Sequence, residues 1–446
     1  MDRRDFIKAS AASAAAIGLA SCTDGHKEGT VKQQTEIEGE MTYRPNTDGS
    51  DSVSLLGYGC MRWKMKTLED GSQVVDQDNV NELVDYAIAH GVNYFDTSPV
   101  YLQGQSEQAA ATALLRHPRN SYYIATKMSN FSNAGKEASL RMYHRSFEIF
   151  QTDHMDYYLL HSVSGEADFK RRFFDNGILD FLLEERRKGR IRNLGLSFHG
   201  PVEGFDYLVS LHDKYHWDFV QIQMNYVDWN HATGRNVNAS YLYSELDKRG
   251  IPVVIMEPLL GGQLGNLPTP VARRLKEMEP SKSVASWAFR FCGTFPRVMT
   301  ILSGMVYYEH LHDNLMNLSG LKPLTGQELA TLEELAVAIR QFPLIPCTSC
   351  NYCMPCPYGI DIPGIFNHYN AAVNDGALPE SSAQKDFKRL KRKYLTSYDK
   401  AIESARQADH CISCRQCISH CPQRIRIPGE LARIDNYIEK LKQETL

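Results

Sequence analysis

Long apolar runs are missing from this 446-residue chain: the one apolar stretch near its N-terminus is short and alanine-rich, which argues against a membrane span. A large charge imbalance is missing too. A net charge of −4 gives no reason to expect nucleic acid or an acidic membrane surface as partner. No short-period tandem repeat is present, which excludes solenoid architectures. No glycine-rich fingerprint follows an early strand, which weakens the case for a doubly wound dinucleotide-binding sheet. Cysteine is scarce outside two short runs, being confined to Cys22, Cys60 and Cys292. The last two sit in apolar surroundings, as buried core cysteines do.

The runs themselves hold eight of the eleven cysteines: Cys347, Cys350, Cys353 and Cys356, then Cys411, Cys414, Cys417 and Cys421. Each ends in Cys-Pro. The second run has the intervals x2, x2, x3 of a bacterial 4Fe-4S site; the first departs in its final interval, which is x2. Tetrahedral zinc uses similar short spacings, and an exported chain can carry disulfides. Cysteines two residues apart suit a compact metal core better than cross-fold pairing, and the Cys-Pro endings favour iron. In two-cluster ferredoxins the fourth cysteine of a run serves the other cluster. That grouping joins Cys421 to Cys347, Cys350 and Cys353, and Cys356 to Cys411, Cys414 and Cys417.

The N-terminus reads as a targeting segment. Arg3-Arg4 followed by Asp5, Phe6 and Lys8 resembles a twin-arginine export signal, and Leu19-Ala20-Ser21-Cys22 resembles a lipobox. A lipidated Cys22 would be the chain's one membrane attachment. Export after folding suits iron–sulfur clusters, which must be inserted where they are assembled. The expected location is therefore periplasmic or membrane-anchored. Residues 23–50, rich in Gly, Thr, Gln and Glu, read as a flexible linker.

Between residues 51 and 325, eight apolar segments (VSLLGYG, VNYFDT, YYIATK, MDYYLLH, IRNLGLS, FVQIQMN, IPVVIME, VMTILSG) alternate with segments of helical periodicity. Near-continuous apolar strands belong to parallel sheets buried on both faces. Eight such units predict an α/β fold, a (β/α)8 TIM barrel. Asp96, Lys127 and His161 fall at the ends of the second, third and fourth strands, with Tyr101 five residues after Asp96. All four belong at the C-terminal mouth, where barrels hold their chemistry.

The segments YFDTSPVY, IATK and YLLH resemble the Asp-Tyr-Lys-His tetrad of the aldo/keto reductase family. The resemblance implies an oxidoreductase interconverting a carbonyl and an alcohol by hydride transfer. Tyr101 would be the general acid/base, Lys127 paired with Asp96 would lower the tyrosine pKa, and His161 would orient the carbonyl. It also implies a bound NADP or NAD. Ser197 and Gln221 would hold the nicotinamide carboxamide; Met256, Ser303, Gly304 and Asn314 would line the rest of the nucleotide. Three departures stand out. Phe198 replaces a usual asparagine, Met256 replaces a usual aromatic ring, and SGMVYYEHLHDN carries no arginine or lysine for a 2′-phosphate. NAD therefore stays as open as NADP.

The whole layout resembles the ferredoxin-fused branch of that family. A linking helix is expected over 326–345 and a mostly helical ferredoxin-like domain with two 4Fe-4S clusters over 346–446. The basic segment Lys385, Lys388, Arg389, Lys391, Arg392 and Lys393 is either a solvated helix face or a docking face for a redox partner protein. Trp63, Phe131 and Trp229 either line an apolar or sugar-binding cleft or pack in the core. Hydride chemistry moves two electrons and a cubane ordinarily one, and no flavin signature joins the two. A non-catalytic electron-carrier or binding subunit on the same barrel is the alternative function.

Overall fold

Eight strands pair in parallel and in chain order to close a barrel: β1 (Leu56–Gly59), β2 (Tyr94–Asp96), β3 (Tyr123–Met128), β4 (Met155–Val163), β5 (Ile191–Phe198), β6 (Val220–Gln223), β7 (Val253–Met256) and β8 (Val298–Ser303). This computed structural model describes residues 37–234 and 236–446. Arg3, Arg4 and Cys22 lie outside the described residues, as do Met1–Glu36 altogether.

The strands run apolar on both faces because both are covered. Their inward side chains, among them Tyr94, Ala125, Tyr157, Leu159, Val254 and Met299, fill the barrel together with Phe219, just before β6. Their outward ones pack under amphipathic helices such as α1 (Gln77–Ala89), α2 (Ser106–Leu114) and α3 (Lys136–Phe150). This is the layering of a TIM barrel. The tether expected to reach residue 50 is shorter than that. Met41 is buried, Tyr43–Pro45 pairs antiparallel with Ser52–Ser54, and Val53 plugs the bottom of the barrel. The Arg44 guanidinium donates to the carbonyl of Val298 at 2.7 Å, which anchors this hairpin.

After β8, the helix α4 (Gly326–Ile339) opens with a reciprocal capping box between Thr325 and Glu328. The chain then builds a second core from α5 (Ile362–Asn374), α6 (Phe387–Ala401) and α7 (Ile427–Gln443), with Ile365, Phe366, Tyr394, Leu431 and Ile434 at its centre. Phe342 and Leu344 pack against both cores. Among the described residues no helix is long and apolar enough to cross a membrane.

Candidate active site

Asp96, the last residue of β2, and Lys127, next to last in β3, meet at the mouth of the barrel. Lys127 Nζ lies 2.5 Å from Asp96 Oδ1 and donates to the Thr97 carbonyl at 2.7 Å. Both side chains are buried; burial pushes the carboxyl up and the ammonium down, and each group opposes the shift of the other. Tyr101 begins a tight turn in which Leu102 and Gln103 adopt left-handed backbone angles. That turn swings the phenol back over the mouth, with Lys127 Nζ 4.9 Å from its ring centroid.

The lowering of the Tyr101 pKa implied by the resemblance is not what this arrangement produces. Burial drives the phenol well above its usual value, and Asp96, Tyr352, Cys60 and Glu257 add to the rise. The Lys127 ammonium is committed to Asp96 and Thr97 and faces the ring. His161, from β4, sits edge-on to Tyr101 with ring centroids 5.6 Å apart. Burial pushes its imidazole well below the usual value, and Lys127, Arg172 and His199 push in the same direction. It is therefore neutral at physiological pH.

A cleft of about 860 Å3 opens over these groups. Asp96, Tyr101, His161, Ser197, Gln221, Met256, Ser303 and Gly304 all line it. Its volume matches that of small-molecule and cofactor sites. Gln221 Oε1 is buried without a hydrogen-bond partner. A buried orphan acceptor in a cleft fits a carboxamide donor such as that of nicotinamide. Asn314 is placed differently: it is buried beneath the cleft, where its Nδ2 donates to Ser303 Oγ at 2.9 Å. Of the three aromatics, Phe131 lines the cleft, Trp63 is buried against Tyr58, and Trp229 packs on Phe295.

The roof of the cleft comes from the cysteine-bearing domain: Thr348, Cys350, Tyr352, Ser419, His420, Pro422 and Gln423 line the same space. The seam is tight. Arg62 Nη2 donates to the Thr348 carbonyl at 2.5 Å, Gln263 Nε2 to the Cys347 carbonyl at 2.9 Å, and Asn236 Nδ2 to Gln423 Oε1 at 2.9 Å. At Gly261 and Gly234 a Cβ would fall 2.3 Å from Thr348 Cα and 2.4 Å from the Gln423 carbonyl oxygen, so only glycine allows this approach.

All eight run cysteines are free thiols, and they gather around two hollows. One is lined by Cys347, Cys350, Cys353 and Cys421; the other by Cys356, Cys411, Cys414 and Cys417, with Cys353 at its edge. Burial raises Cys347 to about 11 and Cys353 to about 12, and Cys421 contributes to both shifts. Burial raises Cys417 to about 11, with Cys414, Cys411 and Cys356 contributing. Among the described residues no three potential ligands converge closely enough for a single metal ion. Two sets of four thiols, each around its own hollow, fit two cubanes. Cys414 is exposed, beside Ile412 and Tyr358, which are 61% and 47% exposed. The basic segment lies on α6 and just before it and lines neither hollow; Arg389 pairs with Asp386 and Lys391 with Glu444.

Several cleft residues have no counterpart in the sequence reading. Glu257 follows β7 with a left-handed φ of 55°, its backbone carbonyl held by Asn225 Nδ2 at 3.1 Å, and burial raises its carboxyl. A carboxylate directly after a strand in IMEPL was the signal for it. Arg62 and Tyr352 depend on the docking of two domains, which local sequence does not reveal.

The sequence model described as the aldo/keto reductase family matches residues 55–337, that of a 4Fe-4S dicluster domain matches 346–426, and that of the twin-arginine translocation signal matches 1–20. The chain is 26% identical to the chloroplastic pyridoxal reductase of Arabidopsis thaliana over 65% of its own length and 84% of that protein's. It is 33% identical to the D-arabinose 1-dehydrogenase of Saccharomyces cerevisiae, over 29% of its length and 39% of that enzyme's. Among solved structures, the holo form of an aldo-keto reductase from Bacillus halodurans superposes with a TM-score of 0.52 at 23% identity, covering 66% of this chain and 96% of that one. An aldo/keto reductase from Klebsiella pneumoniae in complex with NADP and acetate gives 0.53 at 22% identity, with coverages of 66% and 95%.

Proposed function

The chain belongs to the aldo/keto reductase family, and from that premise we propose an exported oxidoreductase that interconverts a carbonyl and an alcohol beneath an iron–sulfur domain. NADP or NAD, when bound, supplies or accepts the hydride. Gln221 and Ser197 would hold its carboxamide end, and Met256, Ser303 and Gly304 would line the rest. In the reducing direction Tyr101 gives its hydroxyl proton to the carbonyl oxygen; in reverse its phenolate accepts the alcohol proton. His161, kept neutral, orients the carbonyl. The Lys127–Asp96 pair packs against the Tyr101 ring, with Lys127 Nζ 4.9 Å from its centroid, and holds the phenol over the mouth of the barrel.

Two 4Fe-4S clusters, held by Cys347, Cys350, Cys353 and Cys421 and by Cys356, Cys411, Cys414 and Cys417, would supply one-electron chemistry beside that site. The observation that carries this reading is one cleft lined by both Tyr101 and Cys350. A redox partner protein would meet the domain at the exposed face of Cys414, Ile412 and Tyr358. The destination is the periplasm, or the membrane surface if Cys22 is lipidated.

A Tyr101→Phe variant tests the reading. Turnover of carbonyl compounds falls by about 10²–10⁴-fold while iron and sulfide content stay at the wild-type level. Equal turnover in the two proteins would leave a barrel that merely carries or binds the clusters.

A further inference from the structure

His161 faces the cleft with one ring nitrogen committed. Its Nδ1 lies 2.6 Å from the Ser129 hydroxyl, and Ser129 lies 2.8 Å from the Ser98 hydroxyl. Ser98 in turn accepts from the Val100 backbone N–H at 3.3 Å. Ser98, Ser129 and His161 are 0%, 2% and 6% exposed, so water does not compete for these bonds. No protein group bonds to His161 Nε2 among the described residues, and the ring lines the cleft.

The direction of the chain follows from its fixed end. A backbone N–H only donates, so Ser98 Oγ accepts there; were Ser129 also to donate to it, the proton of the fully buried Ser98 would have no acceptor among the described residues nearer than His161 Nδ1 at 3.4 Å, so that proton goes to Ser129. Ser129 then has its proton for Nδ1. Its other acceptor, the Lys127 carbonyl, is at 3.5 Å, the outer edge of hydrogen-bonding distance. A neutral imidazole that accepts at Nδ1 carries its proton on Nε2.

The surroundings hold the ring in that pose and that charge state. The Phe131 ring tilts against it at 5.0 Å between centroids, and the Arg172 guanidinium backs Phe131 at 4.4 Å. Arg172 comes from the π-helical turn Lys170–Phe174 and is itself fixed by Asn130 Oδ1 at 3.2 Å and Asp168 Oδ2 at 3.1 Å. The charged and titratable groups facing His161 are Lys127 with its partner Asp96, Arg172, His199 and Tyr101. Among these the two cations, Lys127 and Arg172, come from separate elements and oppose a second proton on the ring.

We infer that Ser98 and Ser129 form a hydroxyl relay that fixes His161 as the Nε2–H tautomer, so that the ring presents a hydrogen-bond donor to the cleft. Both serines are positioning residues. The use of that donor toward a carbonyl oxygen rests on the function proposed above; the tautomer does not. A donor selects ligands with an acceptor oxygen over those that present only N–H or O–H at that point.

The test is nitrogen-15 NMR of the imidazoles in the cluster-loaded full chain, with His161 assigned by the signal lost in His161→Gln. In the wild type the His161 signals report a protonated Nε2 and an unprotonated, hydrogen-bonded Nδ1 from pH 6 to pH 8. Ser98 also lies 3.4 Å from Nδ1, so the decisive variant is the Ser98→Ala/Ser129→Ala double, with Ser129→Ala alone as the milder step. Loss of the relay shifts the tautomer ratio toward Nδ1–H by about tenfold, the worth of one hydrogen bond, whereas Ser129→Thr keeps the wild-type spectrum. A protonated Nδ1 in the wild type, or an unchanged tautomer in the double variant, overturns the inference. Should the double variant fail to load its clusters, the wild-type tautomer alone decides. A confirmed relay with a fully active Tyr101→Phe protein would leave the tautomer standing and refute the reaction.

Discussion

Replacing Gly261 with alanine probes the seam between barrel and iron–sulfur domain. Gly261 has φ +69°, and a Cβ there would stand 2.3 Å from Thr348 Cα. Left-handed backbone in a residue with a Cβ costs about 1–2 kcal/mol. Ordinary carbon contact is at roughly 3.5–4.0 Å, so the 347–349 segment must withdraw by more than about 1 Å. That movement stretches the Arg62 and Gln263 hydrogen bonds to the Thr348 and Cys347 carbonyls, each worth about 0.5–1.5 kcal/mol. The total is about 3–4 kcal/mol. Gly262 is the control: φ is +99° with nothing within 4 Å of its Cβ position, so Gly262→Ala carries the backbone cost alone. The remaining difference of about 2 kcal/mol corresponds to a roughly 30-fold faster loss of iron–sulfur absorbance at a fixed elevated temperature. Equal rates of bleaching in the two variants would refute a load-sharing contact between Gly261 and the cluster loop.

Asp96→Asn removes the carboxylate that faces the buried Lys127 ammonium; the expected cost is about 3–5 kcal/mol, read as a lower denaturant midpoint with the slope unchanged. Because Tyr101 is pushed above its usual pKa, it stays a phenol through the neutral range, so the carbonyl-reduction rate is flat between about pH 6 and 9. A falling limb inside that range would show that Lys127 lowers the phenol after all. Gln221→Leu fills the orphan acceptor position with an apolar group, raising the nucleotide KM by about tenfold with little change in the carbonyl KM.

Much of this molecule is legible in the chain because its signals are local. The barrel strands are short apolar runs between amphipathic helices, and seven appear where their sequence pattern lies, while the first run, VSLLGYG, is split between the hairpin strand Ser52–Ser54 and β1. Asp96, Lys127 and His161 are strand-end residues, and strand ends are placed by the barrel itself. The cysteine intervals carry their own geometry. The Met41–Ser54 hairpin was hidden because its composition is that of a tether, while its order comes from Arg44 and Val53 reaching the barrel. The face that Asn314 turns is likewise not written in the sequence: a helical asparagine shows its type but not its direction, and this one turns inward to Ser303. Glu257, Arg62 and the Ser98–Ser129 relay depend on contacts across long separations in the chain, which periodicity does not encode.

The proposed role of Cys350, which shares the cleft of Tyr101, as a cluster ligand is tested most directly by magnetic resonance on the reduced, cluster-loaded protein. A nicotinamide nucleotide carrying a nitroxide on its ribose is bound, and the nitroxide relaxation is compared between the wild type and a protein stripped of iron. Strongly enhanced nitroxide relaxation in the loaded protein is the expected result, since Cys350 and Gln221 line one cleft. Unaltered relaxation, with the nucleotide shown to be bound, would place the clusters away from the reaction site and contradict the shared cleft.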